Sequence, residues 1–283
     1  MLEAHDLRLS KRFGQNFLID RNHLLRVVDS AQLTSDDAVL EVGPGVGTLT
    51  VELAKRADKV VSLELDRSLE TILSEVVSPY PNVTVLWQDA LKVDLPALIA
   101  EQFGDRPVKV VANIPYNITS PLLVLFLENR QRFASITLMV QKEVAERLKA
   151  APDTDNYGAI TVFTQFHASI KVTGIVPRGS FFPPPKVDSA VVHLVPYATA
   201  PVPVRSAAEF IAVSRAAFGQ RRKTLWNALT NAPALAFTKE QVAAALAEAG
   251  IDGIRRGETL TLAEIAAVSR ALPFDSVTSG TLE

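Results

Sequence analysis

Between residues 38 and about 140, short β-rich runs alternate strictly with helical patterns, and this constrains the fold of the chain more than any other feature. Ala38 to Gly43 reads as a buried strand, and so do Lys59 to Leu65, Val83 to Gln88, Val108 to Ala112 and Ile136 to Val140. Thr48 to Ala57, Arg67 to Val77, Leu95 to Phe103 and Pro121 to Glu128 read as the helices between them. Parallel strands need long crossovers, usually helical, so this pattern predicts a mostly parallel sheet with helices on both faces. Ile160 to Phe166 fits a strand or a buried helix equally well, while Ser169 to Val176 and Ala190 to Val195 add two strands. Between those two lies Phe181-Phe182-Pro183-Pro184-Pro185-Lys186, a stretch that proline excludes from regular structure and that reads as a stiff loop. Pro196, Pro201 and Pro203 mark another break, after which Ala207 to Asn231, Thr238 to Ala249 and Leu262 to Leu272 show helical periodicity only. The expected organisation is an α/β domain over 1–203 and a small helical domain over 204–283.

In a parallel sheet the carboxyl ends of the strands share one edge, where ligands bind. The first strand runs into Gly43-Pro44-Gly45-Val46-Gly47 and then a helix, a turn that lets backbone approach a ligand beside a helix N-terminus. This G-x-G-x-G is one residue shorter than the dinucleotide fingerprint and suits a ligand without a pyrophosphate, such as S-adenosylmethionine. By itself it fits a structural turn as well. The second strand ends in Glu64, placed to accept from ribose hydroxyls; helix capping is the competing role, one that Asp66 could fill instead. The third ends in Asp89, placed to accept from the adenine amine of the same ligand. Three successive strand ends with ligand-type residues point to a nucleoside cofactor.

The fourth strand ends in Asn113-Ile114-Pro115-Tyr116, the most specific motif of the chain. The exocyclic amine of adenine is a poor nucleophile because its lone pair is delocalised into the ring. Acceptors from the Asn113 amide and the Ile114 carbonyl would draw that amine towards tetrahedral geometry. Pro115 stiffens the loop, and Tyr116 offers a ring to stack on the base. A β-turn with a capping asparagine is the plainer alternative. A base in this chemistry must leave its stack, and the Phe181-Phe182 loop supplies a second aromatic candidate. One of the two rings is expected to fill the core, with Phe181 facing the base.

Composition narrows the classes further. The 283 residues contain no cysteine, which removes disulfides, thiol nucleophiles and thiolate metal sites. The histidines are too scattered for a local metal box, and no metal is expected. Glu3 and Asp6 stand where a signal peptide would be basic, and apolar runs are too short to span a bilayer, so a soluble cytoplasmic protein is expected. A net charge of −2 and a pI near 6.1 do not advertise a nucleic-acid binder. Cations nevertheless cluster at Arg130 and Arg132, at Lys142, Arg147 and Lys149, at Arg255-Arg256, and at Arg221-Arg222-Lys223. The last cluster sits in a helical pattern, where it reads either as a solvated face or as a phosphate-contacting arc.

Taken together, several segments resemble the small-subunit ribosomal RNA adenine dimethyltransferases. They are Arg12-Phe13-Gly14-Gln15-Asn16-Phe17-Leu18, Glu41-Val42-Gly43-Pro44-Gly45, Asn113-Ile114-Pro115-Tyr116-Asn117-Ile118, Gln141 to Arg147, Phe181 to Ala190, and Phe218 to Leu225, in family order. The resemblance implies a Rossmann-like class I methyltransferase domain with a mostly parallel seven-stranded sheet, followed by a small all-helical C-terminal domain. It implies S-adenosylmethionine as cofactor and dimethylation of the N6 amine of two adjacent adenosines in a hairpin near the 3′ end of 16S rRNA. The partner implied is the small ribosomal subunit in an assembly intermediate, met by a monomer. By the same resemblance Asn16 and Leu18 hold the cofactor from the N-terminal segment, alongside Gly43, Gly45, Glu64 and Asp89, and Asn113 bridges cofactor and target. Ile114 stands where this family often has leucine and where isoleucine is common among related large-subunit enzymes, but only its carbonyl is expected to enter the chemistry. The alternatives are a large-subunit adenine methyltransferase and a non-catalytic assembly or transcription factor on the same fold.

Overall fold

The structure, a computed structural model, describes residues 16–220 and 222–274; Arg221 and the Arg12 to Gln15 part of the N-terminal motif lie outside the described residues. In chain order the first half forms β1 (Phe17–Leu18), α1 (Arg21–Ser30), β2 (Ala38–Val42), α2 (Thr48–Ala54), β3 (Lys59–Leu63), α3 (Glu70–Val77), β4 (Val83–Leu86), α4 (Leu95–Phe103), β5 (Val108–Asn113) and α5 (Thr119–Glu128). There follow β6 (Phe133–Gln141), α6 (Lys142–Leu148), α7 (Ala159–His167), β7 (Ala168–Val176), β8 (Phe181–Phe182), β9 (Ser189–Pro196), α8 (Ala207–Gly219), α9 (Leu225–Thr230), α10 (Lys239–Glu248) and α11 (Leu262–Ala271).

Among the described residues, seven strands make one sheet in the order β4-β3-β2-β5-β6-β9-β7. The pairs β3–β4, β2–β3, β2–β5 and β5–β6 are parallel, and β9 is antiparallel to both its neighbours. This is the mostly parallel, Rossmann-like arrangement expected. β2 is buried along its whole length, as a strand covered on both faces must be. The chain winds one way from β2 to β3 and β4, and the other way to β5. The carboxyl ends of β2 and β5 therefore flank the point where strand order reverses, the usual place for a ligand crevice in an open α/β sheet. Helix starts follow side-chain chemistry: the Asp20 carboxylate accepts from the Asn22 and His23 N–H groups, and Asp94 accepts from Ala97 N–H ahead of α4.

Contacts divide the chain into two compact units. The α/β unit runs through Ala145 and resumes over Ala168–Pro196; the helical unit comprises Glu146–His167 and the residues from Tyr197 on. This differs from a single cut at 203/204, because the ambiguous stretch Ile160 to Phe166 is helical and belongs with the later helices. Phe166 stacks on Phe210 with centroids 4.0 Å apart, and the Tyr157 hydroxyl donates to the Leu260 carbonyl at 2.8 Å. Tight packing recurs at Gly257, where a Cβ would lie 2.4 Å from the Ala217 carbonyl oxygen.

Two expectations change. Ala207 to Asn231 is not one helix: α8 ends at Gly219 and α9 starts at Leu225 behind an extended N-cap, Thr224. Arg222 and Lys223 thus occupy an exposed turn, not a helix face. The N–H groups of Leu225 and Trp226, which no helical turn can satisfy, donate to the carbonyls of Arg255 and Gly253 at 2.6 and 3.1 Å. The proline-rich stretch also begins in regular structure, since β8 pairs antiparallel with β1. Its proline-free residues Phe181 and Phe182 keep the N–H groups a strand needs. Among the described residues no helix is long and apolar enough to cross a membrane.

Candidate active site

Asn16, Leu18, Gly43, Gly45, Glu64, Asp89 and Asn113 to Tyr116 all line one cavity at the carboxyl edge of the sheet. Residues from β1, from the turns after β2, β3 and β4, and from the loop after β5 meet there because parallel strands end on the same side. Gly45 has φ +59°, and a Cβ on it would lie 2.9 Å from the Phe17 ring, so only glycine fits. The glycine turn in turn lies against the loop after β5: a Cβ on Gly43 would be 3.7 Å from Pro115 Cδ.

Glu64 is buried, and its two carboxylate oxygens accept from the N–H groups of Gly45 (3.1 Å) and Asp66 (2.8 Å). Burial pushes its carboxyl above the ordinary range, while the N–H groups of Asp66, Gly45 and Leu65 pull it back. Asp66 caps the turn that follows, accepting from Ser68 N–H, so the capping role falls to Asp66 and leaves Glu64 to the cavity. Asp89 is partly buried and accepts from Leu91 N–H at 3.0 Å.

Behind the cavity, on β2, lies Glu41, fully enclosed. One of its oxygens accepts from Thr50 and Ser62 hydroxyls at 2.7 Å each and the other has no partner among the described residues. Burial raises its carboxyl to about 7.

On the other side, the Asn113 amide nitrogen points at the Asn16 carbonyl, 3.4 Å away, which leaves the amide oxygen as the group free to accept. Ile114 is buried, 1 % exposed as a whole residue, at the wall of the same cavity. Tyr116 is partly buried and its hydroxyl lies 2.6 Å from the Ser189 Oγ.

Phe181 requires a correction. It pairs with Leu18 across the β1–β8 ladder and is buried, packed with Leu18, Leu24 and Val27. Adjacent strand residues face opposite ways, so the ring left on the surface is Phe182, 48 % exposed. Arg222 and Lys223 lie in the helical unit; Arg221 lies outside the described residues. Sequence reasoning missed Leu24 and Val27 of α1, Gln88, and Met139 of β6, which also line the cavity. Asp20, as an N-cap ahead of Leu24, Val27 and Val28 at helical spacing, would have signalled α1.

The residues present fit a nucleoside with a cationic methyl donor attached: a glycine turn, a buried carboxylate held by N–H groups and a second carboxylate one strand over. A sequence profile of the ribosomal RNA adenine dimethylase family matches residues 7–268. The chain belongs to that family. Among curated members, the ribosomal RNA small subunit methyltransferase A of Geobacillus kaustophilus is 47% identical over 274 residues, 96% of this chain and 94% of the relative. The protein of the same name from Listeria monocytogenes (strain CLIP80459) is 44% identical over 275 residues, 96% of this chain and 93% of the relative. Among solved structures, a dimethyladenosine transferase from Plasmodium falciparum has a TM-score of 0.72 and 28% identity, covering 89% of this chain and 95% of that one. The 23S rRNA methyltransferase ErmE has a TM-score of 0.68 and 30% identity, covering 91% and 99%. The family's class I methyltransferase fold is the one found here.

Proposed function

We propose that this chain is an rRNA adenine dimethyltransferase that uses S-adenosylmethionine to methylate the N6 amines of two adjacent adenosines in small-subunit rRNA during subunit assembly. The observation that carries this reading is the packing of the glycine turn against the Asn113–Tyr116 loop within one cavity. Cofactor-type and amine-type groups are thereby within one molecule's reach of each other. Small-subunit relatives at 44 to 47% identity, against 30% for the large-subunit enzyme, favour the small subunit as the substrate.

When bound, S-adenosylmethionine supplies an electrophilic methyl on a sulfonium. Glu64, with Gly43 and Gly45 beside it, holds the ribose end; Asp89 accepts from the adenine amine of the cofactor; Asn16 and Leu18 close the cavity from the N-terminal side. The Asn113 amide oxygen and the Ile114 carbonyl accept both hydrogens of the target amine, so its lone pair localises and points away from them. Pro115 keeps that pair of acceptors rigid, and Tyr116 stacks on the base. Catalysis on this reading is positioning and preorganised dipoles, with no general base needed before attack. Arg222 and Lys223, with Arg221, contact RNA phosphates as a monomer meets an assembly intermediate. Incubation with labelled cofactor and small subunits lacking the modification, followed by nucleotide mapping, tests the proposal. Label in large-subunit RNA, or none in RNA at all, would sink it.

A further inference from the structure

We infer that Ser189 is a positioning residue for the reaction, anchoring the Tyr116 ring through its hydroxyl, an inference that rests on the adenine methyl transfer proposed above. In the sheet, Asn113 lies opposite Met139 of β6, and Ser189 lies opposite Gln141 of the same strand. Residues opposite each other, or two apart along a strand, present side chains to the same face. Asn113 and Ser189 therefore share a face, with Ser189 about 7 Å farther along β6. That offset puts Ser189 level with the loop after Asn113, where the Tyr116 hydroxyl meets its Oγ at 2.6 Å.

The two partners differ in freedom. Ser189 is 0 % exposed and pairs on one side with Gln141 and on the other with Val176. Asp188 before it is pinned as well: its carboxylate accepts from Arg178 N–H and its carbonyl from Lys142 N–H, each at 3.0 Å. Tyr116, by contrast, opens a short 3-10 turn that lacks a side-chain cap. A ring tethered only at Cα can swing about its side-chain torsions; one held also at its hydroxyl cannot. Stacking needs only the ring face, so the hydroxyl is available for anchoring, and this gives tyrosine a purpose that phenylalanine would not serve. Burial keeps the phenol above its ordinary range, so the neutral hydroxyl persists across working pH.

The test uses the full-length chain with Ser189→Ala, Ser189→Thr, Tyr116→Phe, and the double variant Tyr116→Phe/Ser189→Ala. Single-turnover methyl transfer is followed on unmodified small subunits, with S-adenosylmethionine affinity by calorimetry and melting temperature as controls. Ser189→Ala and Tyr116→Phe should each slow transfer about tenfold, the scale of one lost hydrogen bond, with cofactor affinity unchanged. The double variant should be no slower than the slower single one, because both remove the same bond. Ser189→Thr, which keeps the hydroxyl, should restore most of the rate. Losses that multiply in the double variant, or a Ser189→Ala rate equal to the parent's, overturn the inference and leave the methyl transfer standing. A parent that methylates no RNA overturns both.

Discussion

In the α/β unit the groups proposed to act come from Asn16, Gly43 to Gly45, Glu64, Asp89 and Asn113 to Tyr116, and the sheet gathers them into one cavity. In the helical unit Arg222 and Lys223 are sequence neighbours on one exposed turn. The first arrangement exists only when the fold is complete, and backbone N–H groups fix its Glu64 carboxylate. The second needs only that two flexible cations stay near each other in water. A preorganised cavity should respond sharply to small changes of shape. A solvated charge pair should respond to ionic strength and hardly to shape.

The largest effect expected from pressing on this contrast comes from Phe181→Ala, which should destabilise the protein by about 3–5 kcal/mol in chemical denaturation. A loss below about 1 kcal/mol with strongly impaired transfer would return the ring to the base-facing role. Next is Glu41, whose raised carboxyl makes folding costlier as pH climbs. Native protein holds the proton more tightly than the unfolded chain, so stability is full below pH 4.5 and falls until pH passes about 7. Glu41→Gln should therefore gain more stability at pH 8 than at pH 5, by up to about 3 kcal/mol. Equal gains at both pH values would show that Glu41 is charged throughout.

Asn113→Ala should slow single-turnover transfer on the order of 100-fold, the scale of losing one preorganised polar contact to the reacting group. A rate within twofold of the parent would remove Asn113 from the chemistry. Glu64→Ala should weaken S-adenosylmethionine binding by about 1–3 kcal/mol, measured by calorimetry on folded protein. Smallest is the joint replacement of Arg222 and Lys223 by Gln: subunit affinity falls modestly and the salt slope drops by about 2, with cofactor affinity untouched. An unchanged slope would leave the turn an ordinary solvated one.

What could be seen in advance divides along the same line. Leu95 to Phe103 is a helix with the boundaries expected, and the strands that lead to Glu64, Asp89 and Asn113 were visible as short runs of apolar and β-branched residues. Phe181 and Phe182 could not be told apart, since their orientation is set by β1, a two-residue strand more than 160 residues earlier in the chain. Helical periodicity predicts a continuous helix through Arg221 to Lys223, whereas the break comes from Thr224 capping a new helix whose first N–H groups find carbonyls at Gly253 and Arg255. Both misses involve partners distant in sequence, and local pattern carries no record of them.

Because the helical unit is assembled from two separated stretches of chain, the order of synthesis matters. α7 leaves the ribosome before the last strand of the sheet, β9, and long before α8 and α11. Until those later helices are made, Tyr157, Val162 and Phe166 lack most of the apolar surface that buries them in the finished protein. The sheet likewise waits for β9 to seat between β6 and β7. A chain ended at residue 203 would carry α7 with its apolar side uncovered, a product prone to aggregate instead of a free-standing catalytic half.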